Sequence, residues 1–225
     1  MMAMRSVSVM CFLFLLTEAI AQGQDQAPAA PVPVEPIPVE LMVGHNRFGF
    51  QFVMNKKFSP SSRFSFLNVN IFTSDYNNSR DNLDLVAVAQ IGYDLHKGFG
   101  PTVGLSVNSV AGLAPTAGVQ YVFVNREILL VLTPTIEFSE TNNLQGLIIG
   151  EYRPPLSSKV DLFTRVQALY NYDTDNAFHQ RSYVQLRLGA GIGKYQFGPA
   201  VNLDYYGPEK VFKGNYGAFV RFNFH

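Results

Sequence analysis

Apolar and polar side chains alternate along most of this chain from Arg47 onward, and a period of two residues is typical of β-strands. Leu83 to Leu95 shows the pattern clearly, with Leu, Ala, Ile and Tyr on one face and Asp84, Gln90 and Gly92 on the other. Its length suits a tilted membrane strand, which needs about 9–11 residues. Comparable segments recur to the end of the chain, so the pattern predicts an all-β protein of about 10–12 strands.

The number of strands depends on the first segment. The clear strands total eleven, because residues 39–55 fit either one long strand or two short ones. A bacterial barrel with both chain ends on the periplasmic side has an even number of strands. The count therefore stays open at this point.

The connections between strands alternate in length. Tight turns are predicted at His96–Gly98, Asn125–Glu127 and Lys194–Gln196. Longer polar connections are predicted at Ser74–Asn82, Asp173–Gln180 and Gly207–Lys213. Short turns at one end and longer loops at the other are typical of an antiparallel up-and-down transmembrane β-barrel.

The two faces of the strands differ in a way that bears on their surroundings. Small and charged residues share one face, which suits a narrow polar interior. The apolar face carries aromatic side chains near strand ends, as in the girdles at membrane interfaces: Tyr93, Phe123, Phe138, Tyr170, Tyr205 and Phe224. A soluble barrel of the lipocalin type has the opposite arrangement, with an apolar cavity and a polar exterior. The pattern therefore favours the membrane.

The last segment, Asn215–His225, alternates to the end of the sequence. Tyr216, Phe222 and Phe224 lie on its apolar face, while Arg221 and Asn223 lie on the other. This segment resembles the closing strand of small bacterial outer-membrane β-barrel proteins, although His225 follows the terminal aromatic residue. The resemblance implies that Tyr216, Phe222 and Phe224 form an assembly signal. It also implies outer-membrane localisation, with outer-membrane lipid and the barrel-assembly machinery as partners.

Composition supports a surface that does not face water everywhere. Charged residues are 15% of the 225, whereas a soluble domain usually holds about 25%. Basic and acidic residues number 17 each, so the balance of charge gives no reason to expect nucleic-acid binding. The strands offer no run of about 18 apolar residues, so any membrane segment in this region is predicted to be a strand.

The N-terminal region divides into two segments before the barrel. Arg5, the apolar run that follows it and Ala19-Ile20-Ala21 predict a signal peptide over residues 1–21, which contains the single cysteine, Cys11. Residues 22–40 are Pro-rich and predict an extended tether. A second interpretation makes residues 27–40 an arm that binds a protein partner. The barrel is predicted over residues 41–225.

Six charged residues are predicted to point into the lumen: Asp84, Glu137, Arg165, Arg187, Asp204 and Arg221. Buried charges of mixed sign are expected to pair, because an isolated one costs several kcal/mol. Arg221 is expected to pair with Asp204 or Glu137. The preferred interpretation is a structural or accessory barrel whose lumen these side chains fill. The alternative is a narrow, porin-like channel for small polar solutes.

Catalytic chemistry has weaker support in the sequence. His179, with Ser182 and Asp175 nearby, is the one cluster with the residue types of an outer-membrane lipid hydrolase, and it also fits an ordinary polar loop. The histidines lack metal-ligand spacing, and Gly189–Gly193 does not open a helix, as a phosphate-binding loop would. We therefore expect no enzyme activity, no metal and no cofactor, with a lipid hydrolase as the third hypothesis.

Overall fold

The computed structural model describes residues 36–77, 83–109 and 112–224. These residues form twelve strands: β1 (Ile37–Gly44), β2 (Arg47–Lys57), β3 (Phe64–Asp75), β4 (Asp84–Tyr93), β5 (Phe99–Asn108), β6 (Gly112–Val124), β7 (Ile128–Phe138), β8 (Asn142–Tyr152), β9 (Asp161–Asp173), β10 (Phe178–Ile192), β11 (Tyr195–Tyr206) and β12 (Val211–Phe224). Within the described part of the chain, no helix is long and apolar enough to cross a membrane. The predicted signal peptide and most of the predicted tether lie outside the described residues.

The strands close into one antiparallel barrel in which each pairs with its neighbours in sequence and β1 pairs with β12. The closing pair runs from Ile37↔Phe224 to Gly44↔Gly217. The uncertain segment is two strands, β1 and β2, which raises the eleven clear strands to an even twelve. This confirms the predicted up-and-down barrel. It also places residues 37–40, assigned above to the tether, in the first strand.

The two ends of the barrel are distinguished by the connections they carry. At the terminal side, where β1 begins and β12 ends, lie residues 58–63, 94–98, 125–127, 153–160 and 193–194. At the distal side lie residues 45–46, 76–77, 83, 109, 139–141, 174–177 and 207–210, as far as the structure describes these connections. The predicted tight turns and longer loops fall on opposite sides as expected. Their lengths do not separate cleanly, since the connection 153–160 on the terminal side has as many residues as the chain has between β3 and β4.

The outer wall is apolar along the whole barrel. Large apolar side chains in mid-strand leave about half of their surface uncovered, as shown by Leu105 at 48% and Ile148 at 47%. Aromatic side chains occupy this wall near both ends, including the Phe64–Tyr93 pair at the terminal side and the Tyr205–Phe212 pair at the distal side. An apolar band between two aromatic girdles is the surface that a barrel presents to lipid.

The interior is less polar than the sequence pattern suggests. An apolar cluster fills the space between β2–β4 and β7–β10: Val53, Leu67, Val69, Ile71, Val86, Val88, Leu129, Val131, Leu147, Ile149, Leu169 and Tyr183. In β8, Leu147 and Ile149 point inward while Ile148 points outward. This explains why residues 144–152 look apolar on both faces in the sequence. The barrel therefore has a packed core beside its polar lumen residues.

Candidate functional site

The lumen holds most of the polar side chains because the inward positions of each strand alternate with the lipid-facing ones. Five of the six predicted lumen charges have at most 5% of their surface exposed, and the Asp84 side chain has 14%. The inward ion pairs also include Glu40, Arg47, Glu151 and Arg181, which the sequence pattern did not indicate. All of them except Glu137 form two separate clusters, one toward each end of the barrel.

The terminal-side charge cluster consists of Glu40, Glu151, Arg165, Arg187 and Arg221. Arg187 Nε donates to Glu40 Oε1 at 2.7 Å, and Arg221 Nη1 donates to Glu151 Oε1 at 2.7 Å. Arg165 lies between the two carboxylates, with N···O distances of 3.6 Å to Glu40 and 3.4 Å to Glu151. Five strands, β1, β8, β9, β10 and β12, contribute one residue each, so the cluster ties distant parts of the wall together.

The distal charge cluster consists of Arg47, Asp84, Arg181 and Asp204. Arg181 Nη1 donates to Asp84 Oδ1 at 2.6 Å, and Arg47 Nη2 donates to Asp204 Oδ2 at 2.9 Å. The Tyr206 hydroxyl also donates to Asp84 at 2.7 Å. β4 and β10 lie on opposite sides of the barrel, because five strands separate them in either direction. Their ion pair therefore crosses the whole lumen.

Uncharged side chains occupy the level between the clusters. Gln51 of β2 donates to Gln167 of β9 at 2.7 Å, and Gln167 in turn donates to the Tyr183 hydroxyl at 2.9 Å. A cavity of about 10 Å³ adjoins Gln51 and Arg187. That volume holds about one water molecule. The side chains of this level thus leave little space between the two clusters.

Glu137 lies apart from both clusters. Its carboxylate accepts from the side-chain amides of Asn108, Gln145 and Asn171 at 3.4–3.5 Å. No basic side chain within the described ranges forms an ion pair with it. The expected pairing of Arg221 with Glu137 or Asp204 is wrong, since Arg221 binds Glu151 instead. Three strands separate β8 from β12, and the inward Glu151 and Arg221 side chains meet across that part of the wall.

The four charges of the two clusters that the sequence pattern missed were missed for identifiable reasons. Glu40 lay in the segment assigned to the tether, and Glu151 lay in the segment whose two faces could not be told apart. Arg47 and Arg181 lie near strand ends, where alternation is short or interrupted. The alternation of Leu41 and Val43 with Glu40 and Met42, read as a strand of its own, would have indicated Glu40 as inward.

The three residues predicted as an assembly signal lie on the outer wall of β12. The Phe222 and Phe224 rings are 4.5 Å apart, and Tyr216 is 5.4 Å from the His45 ring. All three residues pair with β1 or β11 neighbours that close the barrel. Their role in assembly stays a prediction.

Of the proposed catalytic residues, the structure brings two together. His179 Nε2 lies 2.9 Å from Ser182 Oγ. Asp175 lies in the 174–177 connection, where its carboxylate accepts from the backbone and side chain of Asn142. Among the described residues, no group of His, Cys, Asp and Glu side chains has an arrangement that could hold a metal ion.

Comparison with known proteins finds similarity in structure only. No family model and no curated protein sequence matches the chain. The NanC porin is 9% identical over 84% of this chain and 98% of its own, with a TM-score of 0.48. The KdgM porin in complex with disordered oligogalacturonate is 12% identical over 84% and 99%, with a TM-score of 0.44. LpxR from Salmonella typhimurium is 7% identical over 84% and 99%, with a TM-score of 0.40.

The architecture itself defines the class of protein. Only closed barrels satisfy every backbone hydrogen bond of membrane-spanning strands, and antiparallel barrels with an apolar outer wall are the form found in bacterial outer membranes. The chain is a small outer-membrane β-barrel protein, as the pattern of its strands predicted.

Proposed function

We propose that this protein is a closed outer-membrane barrel with a structural or accessory role, in which side chains of the lumen block the passage of solutes. The Arg181–Asp84 ion pair carries the proposal, because it joins strands on opposite sides of the barrel. An open channel needs these two walls to stay apart. No catalysis is assigned to the lumen.

Two further features support a closed lumen. The Gln51–Gln167 contact at 2.7 Å joins β2 and β9 below the distal cluster. The apolar cluster then occupies the interior between β2–β4 and β7–β10. Small barrels are normally filled by side chains in this way, whereas wide barrels leave an aqueous channel.

Planar-bilayer recordings on the refolded full chain test the proposal. We expect no stable conductance steps from the wild type. The double variant Asp84→Ala/Arg181→Ala, which removes the cross-lumen pair, is expected to give brief, irregular openings. A double variant of the exposed Lys57–Asp94 pair, Lys57→Ala/Asp94→Ala, is the matched control and is expected to behave as the wild type.

A narrow channel for small anionic solutes is the second candidate. It is favoured by the terminal-side charge cluster, which contains three arginines and two carboxylates. Stable wild-type steps with anion preference that falls in Arg165→Gln or Arg187→Gln would establish this function and overturn the closed barrel.

A further inference from the structure

His179 and Ser182 form a hydrogen-bonded pair on the outer wall of the barrel, outside the lumen. In a regular strand, residues three apart point to opposite faces. A register shift between His179 and Arg181 changes this, because one extra residue is accommodated there opposite β9. His179 therefore reaches the lipid-facing position of Ser182, and its Nε2 lies 2.9 Å from Ser182 Oγ.

The other ring nitrogen of His179 fixes the proton arrangement of the pair. His179 Nδ1 lies 2.8 Å from the Gly207 carbonyl oxygen. A carbonyl oxygen only accepts, so Nδ1 carries the hydrogen and Nε2 presents its lone pair to the Ser182 hydroxyl. The Gly207 N–H donates back to the Gln180 carbonyl at 2.8 Å, which holds the shifted segment against the 207–210 connection. This is the tautomer in which a histidine acts as a general base toward serine.

The surroundings of the pair match an amphiphilic substrate. Ser182 lies between Tyr170 of β9 and Tyr205 of β11, and the His179 ring lies 5.5 Å from the Tyr170 ring. Phe212 packs against Tyr205 with ring centroids 5.1 Å apart. Tyrosine-rich belts mark the boundary between lipid and water. An ester group at the head of a lipid acyl chain lies at this level, beside the distal end of the wall.

We propose that Ser182 and His179 form a serine esterase site that cleaves acyl esters of membrane lipids at the distal boundary of the bilayer. This activity is independent of the closed lumen, because the pair lies on the opposite face of the wall. Asp175, which the sequence placed near this pair, takes no part. The Gly207 carbonyl oxygen accepts the hydrogen of His179 Nδ1, as a carboxylate does in a catalytic triad, and so orients the ring.

The reaction balances with water as the only co-reactant. Ser182 Oγ attacks the ester carbonyl carbon while His179 Nε2 takes the hydroxyl proton. The bond from that carbon to the alcohol oxygen then breaks, and His179 returns the proton to the leaving alcohol. A water molecule then attacks the acyl carbon while His179 Nε2 takes one of its protons. The bond from that carbon to Ser182 Oγ breaks, and His179 returns the proton to Ser182 Oγ. The products are the free fatty acid, the alcohol part of the lipid and the restored Ser182 hydroxyl.

Covalent labelling of the refolded full chain in phosphatidylcholine vesicles tests the site. The probe is an alkyl fluorophosphonate carrying a fluorophore, and the modified residue is identified by peptide mass spectrometry. We expect labelling at Ser182, none in Ser182→Ala, and labelling slower by about 100-fold or more in His179→Phe, because a general base contributes about 10²–10⁴. Release of fatty acid from short-chain phosphatidylcholine is expected to fall in parallel.

Matched controls separate reactivity from a structural role of the pair. Ser61→Ala and His96→Phe change exposed residues in terminal-side connections and are expected to label as the wild type. His179→Phe keeps an aromatic ring beside Tyr170, and folding of each variant is checked by heat-modifiable gel mobility. Absence of labelling at Ser182 in the folded wild type overturns the proposal, with no variant needed. Equal labelling in wild type and His179→Phe overturns it as well.

Discussion

Three guanidinium groups surround the carboxylate of Glu151. Arg221 lies at 2.7 Å, Arg165 at 3.4 Å and Arg153 at 3.9 Å from its oxygens, and the Glu151 side chain is 2% exposed. Burial makes such a site sensitive to the loss of one partner, because the remaining charges stay in a medium that solvates them poorly. The same reasoning applies to Glu40 between Arg165 and Arg187.

Glu151→Gln is expected to lower the free energy of unfolding by about 3–5 kcal/mol, since it leaves buried arginines without their counter-charge. The measurement is urea-induced unfolding in lipid vesicles, followed by circular dichroism because the chain contains no tryptophan. Lys57→Met is the control, as the Lys57 side chain is 53% exposed in its pair with Asp94 and should cost less than about 1 kcal/mol. Equal costs for the two changes would contradict the importance of the cluster.

At the scale of elements, the barrel depends on the pairing of its first and last strands. β1 pairs with β12 over eight residue pairs, and without it two long strand edges would be exposed. Gly217 of β12 lies close to the backbone of β1: an added Cβ would lie 2.0 Å from the Val43 carbonyl oxygen and 2.6 Å from Gly44 Cα. The glycine is required there by the approach of a neighbouring backbone.

Gly217→Ala is expected to destabilise the barrel by about 1–3 kcal/mol, because the methyl group forces β1 and β12 apart. The variant should lose its heat-modifiable gel mobility at a lower temperature than the wild type. Gly150→Ala serves as the control, since its added Cβ meets no atom within 4 Å, and we expect a change within about 0.5 kcal/mol. A Gly217→Ala barrel as stable as Gly150→Ala would show that the closing pair is not so tightly packed.

At the scale of the whole molecule, contacts on the outer wall and contacts in the packed interior both stabilise the barrel. Lipid covers the exposed apolar band, and the interior is filled by the apolar cluster and by ion pairs between opposite strands. The depth of a residue in the membrane should therefore matter as much as its exposure. Ile148 and Tyr152 of β8 allow a direct comparison, because they are 47% and 46% exposed.

Ile148→Arg is expected to lower the free energy of unfolding by about 2–4 kcal/mol, because it places a charge on the lipid face near the middle of the bilayer. Tyr152→Arg, at the terminal end of the same strand, is expected to cost about 0–1 kcal/mol, because the charge reaches the interface. Unfolding in vesicles measures both. Equal costs would place the membrane boundary elsewhere along β8 and would contradict the lipid-facing band described above.

The local alternation of the sequence determined most of the architecture. A period of two residues assigns each side chain to a face without knowledge of its partners, so the antiparallel barrel and the apolar outer wall followed from the chain alone. The inward positions of Arg165, Arg187 and Asp204 followed in the same way. The sequence predicted the bounds and faces of strands less well where the alternating pattern was short, as at β1, or where both faces were apolar, as at β8.

Only the tertiary structure decided which side chains meet. The pairs Arg181–Asp84 and Arg221–Glu151 join strands far apart in the barrel, and such contacts depend on how closely the opposite walls approach. The shared face of His179 and Ser182 depends on a register shift that their spacing argues against. A face is a local property of the chain, whereas a contact across the lumen depends on the closure of all twelve strands and a contact at a bulge depends on the register with the neighbouring strand.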